Sequence, residues 1–123
     1  MKVNIHFLNC DFDKTVKSEF NTQGILINND QNYILKFFEP ENIKVIIEYN
    51  KDKTTITRNE LSTLEFINNI PTLYKINTPY GLLNVNINTT YYEVTDNYIH
   101  IEYYVDNDKD KTNYLKINIS KIE

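Results

Sequence analysis

Tyr98-Ile-His-Ile-Glu-Tyr-Tyr-Val105 is the stretch that decides the fold. Ile99, Ile101, Tyr103 and Val105 take every second position, with His100, Glu102 and Tyr104 between them. Successive side chains on a strand point to opposite faces, so a period of two marks a half-buried β-strand. The same alternation runs through Leu83, Val85 and Ile87 upstream and through Leu115, Ile117 and Ile119 downstream. The chain contains no alanine and is rich in Ile, Tyr, Thr and Val. Such a composition is hard to build into helices, so the expectation is an all-β protein with a helical turn or two at most.

Turn-prone clusters punctuate the rest of the chain. They fall at Asn28-Asn29-Asp30, Glu39-Pro40-Glu41-Asn42, Asn50-Lys51-Asp52-Lys53, Asn68-Asn69, Thr78-Pro79-Tyr80-Gly81, Thr95-Asp96-Asn97 and Asn107 to Asp110. Intervals of about 8–15 residues between turns suit a sandwich or a meandering barrel. Strands are expected near 2–9, 15–21, 24–28, 32–38, 43–49, 54–58, 62–67, 72–77, 82–94, 98–106 and 112–121. Short connections imply antiparallel hairpins between neighbours, since parallel pairing needs crossover helices. An open sheet of this size would leave long edges, which closure into a barrel of about eight to ten strands removes. No linker or shift in composition divides the chain, so residues 1–123 read as a single barrel domain.

Within the closing meander, a hairpin centred on Asp96 sets Val94 against Tyr98, Tyr91 against Ile101 and Thr89 against Tyr103. A tip at Asp108–Lys109 sets Tyr103 against Leu115 and Ile101 against Ile117. Both registers keep one apolar face, and on the other they pair Glu102 with Lys116 and Tyr104 with Tyr114.

At 123 residues and a net charge of −4 the chain has the size of one domain and offers no clustered basic face for nucleic acid. Cys10 is the only cysteine, so no internal disulfide can form. The opening MKVNIHFLNCDFD has no uncharged run of signal-peptide length, and no stretch approaches a membrane span. A reducing cytoplasm is the expected address. Asp106 to Lys111 has neither the glycine nor the closing glutamate of an EF-hand loop and reads as a solvated hairpin tip. His6 and His100 fall in the outward phase of their strands without metal-ligand spacing, and no Gly-rich phosphate loop is present. The reading is a non-catalytic protein without a cofactor.

Arg58 is the only arginine among thirteen basic residues, so its position invites a role for the guanidinium fork. If Ile47 faces Ile56, Arg58 lies opposite Val45, Phe37 also opposite Val45, and Glu39 opposite Ile43. Arg58 could then reach Glu39 across the intervening strand, as an inward guanidinium requires a partner. Two readings stand side by side: an Arg58–Glu39 pair closing one barrel end, or an arginine that receives a ligand carboxylate. Tyr33, Tyr49, Tyr91 and Tyr103 fall in the inward phase and either line a cavity with polar handles or fill the interior. Tyr92, Tyr98, His100, Tyr104 and Tyr114 fall in the outward phase, where a contiguous aromatic patch would form an interface.

Tyr33-Ile-Leu-Lys-Phe-Phe-Glu39, Ile56-Thr-Arg58, Leu64-Glu-Phe66, Tyr74-Lys-Ile-Asn-Thr78-Pro-Tyr-Gly81, Thr89, Ile101-Glu-Tyr103 and Asn113-Tyr-Leu-Lys-Ile117 follow one another in an order that resembles the YwiB-like family of small bacterial proteins. The likeness covers nearly the whole chain. Where that family often has glycine shortly after the arginine, this chain has Asn59 and Glu60. The resemblance implies a calycin-like, lipocalin-like β-barrel and leaves function open, since the family has no established activity and fold does not fix function. Two functions are therefore carried forward. One is a binding module for a small, partly apolar, anionic, fatty-acid-like ligand, using Arg58, Glu39, Tyr33, Tyr49, Tyr91 and Tyr103. The other is an interaction or assembly module, such as a homodimer, with a filled barrel and the outer tyrosine face as its contact.

Overall fold

The computed structural model describes residues 1–122. Ten strands form a closed antiparallel barrel: β1 (Lys2–Cys10), β2 (Val16–Asn29), β3 (Asn32–Glu39), β4 (Ile43–Tyr49), β5 (Lys53–Arg58), β6 (Ser62–Ile67), β7 (Thr72–Thr78), β8 (Gly81–Val94), β9 (Tyr98–Val105) and β10 (Asn113–Lys121). Each strand pairs with its neighbours in sequence, and β1 pairs with β10 to close the ring. The only helical element among the described residues is a 3-10 turn at Pro40–Asn42. None of the described helical residues forms a helix long and apolar enough to cross a membrane.

The expected alternation becomes burial alternation. Ile99 and Ile101 on β9, and Ile117 on β10, are fully buried, while Leu35, Val45, Ile47 and Phe66 fill the centre of the barrel from the far wall. At one end of this core Phe7, Phe20 and Phe37 pack their rings together, with centroids 5.0–6.4 Å apart.

The residues expected to form two strands, 15–21 and 24–28, form one strand of 14 residues, β2. Gly24, within this strand, is a point of close approach. A Cβ there would lie 2.5 Å from the Lys36 carbonyl and 2.8 Å from Ile5 Cδ1. Glycine lets β2 pass between β1 and β3 at the position where it begins to pair with both.

The registers around Arg58 are those expected: Ile47 faces Ile56, Val45 faces both Arg58 and Phe37, and Ile43 faces Glu39. In the closing meander two pairings differ. The β8–β9 tip is the two-residue turn Asp96-Asn97, closed by the Thr95 amide donating to the Tyr98 carbonyl at 2.8 Å. It sets Val94 against Ile99 and Tyr92 against Ile101. Thr89 still faces Tyr103, and a bulge between Thr89 and Tyr91 absorbs the extra residue. Bulges re-aim side chains; this one turns Tyr91 outward and Tyr92 inward, reversing the expectation for both.

Between β9 and β10 the register slips by two residues, so Ile101 faces Leu115 and Ile99 faces Ile117. Glu102 then lies beside Tyr114, and Lys116 beside His100, in place of the expected Glu102–Lys116 and Tyr104–Tyr114 pairs. A slip of two preserves the facing of every residue, which is why the apolar set stays inside.

Candidate functional site

Chemically unlike groups converge at the barrel end where β3 and β5 finish. The β5–β6 connection is the three-residue turn Asn59-Glu60-Leu61, in which Asn59 and Glu60 both take left-handed backbone, with φ of 50° and 59°. This conformation fits the twist of a tight hairpin, and asparagine tolerates it well. The Asn59 side chain accepts the Lys44 amide at 2.8 Å, and its own amide donates to the Lys44 carbonyl at 2.8 Å. The turn is thereby fastened to β4, and Arg58 is held at the rim. Across β4, Pro40 follows Glu39 directly and left-handed backbone at Glu41 and Asn42 reverses the chain.

Arg58 and Glu39 meet in a bidentate pair, Nε donating to Oε2 at 3.0 Å and Nη2 to Oε1 at 2.6 Å. The Glu39 side chain is only 12% exposed and that of Arg58 41%. Burial works against the charged guanidinium, but the Glu39 carboxylate and the nearby Tyr74 hydroxyl outweigh it and hold its pKa above the ordinary value. Fork-to-carboxylate geometry is the strong form of such a contact. It leaves Nη1 for Tyr74 or for an incoming acceptor.

The pair borders a cavity of about 300 Å³ reaching into the barrel. Phe7, Ile56, Leu64, Ile87, Val105 and Leu115 supply its apolar wall, and Asn9, Ser18, Tyr74, Tyr103 and Asn113 its neutral polar groups. Of the charged side chains at its border two are cationic, Arg58 and Lys17, and one is the Glu39 carboxylate. Lys17 also contacts Asp11 at 3.0 Å. Tyr103 packs its ring on Phe66 with centroids 4.9 Å apart, and burial pushes its hydroxyl pKa up to about 12, with lesser contributions from Tyr74 and Asp11. The Asn9 side-chain carbonyl is buried with no hydrogen-bond partner. Buried polar atoms are rarely left this way.

The opposite end is built differently. Tyr49 is 1% exposed, stacks on Tyr33 at 5.4 Å, and donates its hydroxyl to the Asp96 carbonyl at 2.8 Å. Burial drives its pKa well above the ordinary tyrosine range, helped by Tyr33 and Asp96. The re-aimed Tyr92 donates to the Asn50 carbonyl at 2.8 Å and accepts from the buried Thr54 hydroxyl at 2.9 Å. Burial raises Tyr92 to about 12 against the lowering effect of the Thr54 contact. A hollow of about 880 Å³ lies outside these residues, lined in part by Leu26, Tyr33, Asp96 and Lys121.

The expected ligand set therefore divides. Arg58, Glu39 and Tyr103 share one cavity, Tyr33 and Tyr49 belong to the far end, and Tyr91 lies outside, 41% exposed with its hydroxyl 3.3 Å from Glu93. Tyr74 and Asn9 were legible but not singled out: Asn9 continues the inward phase of Val3, Ile5 and Phe7, and Tyr74 faces Leu64 across the β6–β7 pair. Of the expected interface residues, Tyr98, His100, Tyr104 and Tyr114 are half-buried on the outer face. Tyr92 is not among them. His100 is wedged between Tyr91 and Tyr98, ring centroids 4.8 and 6.3 Å away, and its Nε2 lies 3.1 Å from Glu102 without the alignment of a hydrogen bond.

A closed antiparallel meander barrel with a filled waist and a polar, partly open mouth is the class of protein these features define. Residues 5–119 match the model of a domain of unknown function, DUF1934, and the chain belongs to that family. Its fold is similar to that in the crystal structure of the ywiB protein from Bacillus subtilis, with a TM-score of 0.79 at 16% identity, covering 99% of this chain and 92% of that one. No curated protein shows significant similarity to the chain.

Proposed function

We propose that the barrel is a binding module for a small, partly apolar, anionic molecule, taken up in the cavity beside Arg58. The observation that carries this reading is the convergence of the Arg58–Glu39 pair, Tyr74, Tyr103 and the unpartnered Asn9 carbonyl on one cavity with an apolar wall. Its volume of about 300 Å³ stands at the lower end of the range for ligand sites. The guanidinium of Arg58 at the cavity border, already oriented by Glu39, favours an anionic head. An O–H or N–H on the ligand would satisfy Asn9.

The test is denaturant unfolding with and without a panel of medium-chain fatty acids and aromatic carboxylates. A ligand that binds only the folded state raises stability by mass action, about 2.7 kcal/mol at a hundredfold excess over Kd. Stabilisation is expected in the wild type and absent in a double variant, Arg58→Met with Glu39→Leu, that removes the head-group site without leaving a lone charge. Equal stabilisation of both proteins, or of neither, refutes the reading. Assembly through the outer face is the second reading, supported by the contiguous Tyr91, His100 and Tyr98 rings.

A further inference from the structure

Strand β8 is longer than the strand beside it. It pairs with β7 from Gly81 to Ile87, but with β9 only from Ile87 onward. Its first five residues, Gly81-Leu82-Leu83-Asn84-Val85, thus project beyond the β9 end with one edge uncovered. Which backbone groups face that edge follows from the bonds nearby. The Asn77 amide donates to Leu61 on the β6 side at 2.7 Å, so Asn77 and its partner Leu82 do not exchange hydrogen bonds with each other. Leu82, Asn84 and Asn86 therefore direct their N–H and C=O groups away from β7. Asn86 is satisfied there, its carbonyl accepting from the Asp106 amide at 2.9 Å. Among the described residues, Leu82 and Asn84 have no such partner.

Exposed edges are usually guarded by charge. The other overhanging strand is guarded in this way: β2 pairs with β3 only from Gly24 on, and its free part carries Lys17 and Glu19. The β8 edge carries nothing of the kind. No charged residue occurs between Lys75 and Glu93, and the projecting hairpin exposes Leu82 (59%), Leu83 (51%) and the whole of Tyr80 (100%).

We propose that this edge pairs with the same edge of a second copy, extending the sheet across a two-fold axis. A like copy is the occupant the charge pattern selects. The net charge of −4 disfavours approach of two copies elsewhere, whereas this segment meets itself without repulsion. It also completes its own hydrogen bonding: with Leu83 on the axis, Leu82 of each copy faces Asn84 of the other, and all four unpartnered groups on each chain are used. Leu83 then packs against its own equivalent at the close spacing of a non-hydrogen-bonded pair. Asp106, by occupying Asn86, stops the pairing after Val85. So short a contact makes a weak, concentration-dependent dimer.

Sedimentation equilibrium over a range up to millimolar protein tests the proposal. The wild type is expected to pass from monomer to dimer. Leu83→Lys and Leu83→Glu should each weaken association at least about tenfold, because like charges would then face each other across the axis. An equimolar mixture of the two variants should recover the dimer. Asn84→Pro gives an independent check, since the amide it removes serves no bond within the chain, and circular dichroism verifies the fold of every variant. A wild type that stays monomeric throughout, variants that associate as the wild type does, or a mixture that fails to recover overturns the inference.

Discussion

The two ends of the barrel contain the same kinds of residue and use them in opposite ways. At the Tyr49 end three inward hydroxyls have fixed recipients: Tyr49 meets the Asp96 carbonyl, Tyr92 meets Asn50, and Thr54 meets Tyr92. At the Arg58 end one ion pair is complete, but the Asn9 carbonyl has no partner and a cavity separates the polar groups from one another. A hydroxyl bound to a backbone carbonyl ties a strand to a turn and adds to stability. A polar group facing a cavity adds little to stability and is free to meet a guest. The difference teaches which end holds the fold and which end can afford to do something else.

Substitutions can break that contrast, and the largest effect is expected at the sealed end. Tyr49→Ala removes a fully buried ring and the donor to Asp96, and denaturant unfolding should show a loss of about 4 kcal/mol. A loss below about 1 kcal/mol would mean this end is not the anchor. At the mouth, Arg58→Met strands the nearly buried Glu39 carboxylate. Since Arg58 is partly exposed, solvent softens the penalty to about 2 kcal/mol, and adding Glu39→Leu should recover most of it. A double variant as unstable as the single one would show that the pair was not the cause.

Removing single hydroxyls sharpens the contrast. Tyr49→Phe should cost about 1 kcal/mol, because the Asp96 carbonyl loses its donor, whereas Tyr103→Phe should be close to neutral. Equal costs would erase the distinction between the two ends.

The smallest effect concerns alkaline pH. Tyr92 and Tyr103 ordinarily titrate near 10.0 and are raised to about 12 in the folded protein. Between those values the unfolded chain has released protons that the folded one retains, so stability is complete below pH 10 and falls as pH rises towards 12. Tyr92→Phe should make that fall shallower. A slope unchanged by the substitution would remove Tyr92 from the account.

Much of the Arg58 end was legible because it depends on local alternation and short turns. Ile47, Ile56 and Val45 carry the register from β3 to β5, and the pairing of Arg58 with Glu39 follows from it. The course of β8 was not legible. A one-residue bulge costs little locally and leaves no mark in a run such as Thr89-Thr90-Tyr91-Tyr92, yet it exchanges the inside and outside of two tyrosines. The continuity of β2 was not legible either: the close approach of Gly24 to Lys36 and Ile5 depends on how three strands pack, which no local pattern records.

By itself the sequence determined the period of two, the order of the hairpins, the apolar face and a register that puts Glu39 within reach of Arg58, because each arises from neighbours along the chain or on adjacent strands. Tertiary structure alone decided which tyrosines share a cavity, which polar atoms go unpartnered and which strand edge stays bare. Those properties depend on how ten strands are staggered when the sheet closes, and the stagger is a sum of small shifts made all around the ring.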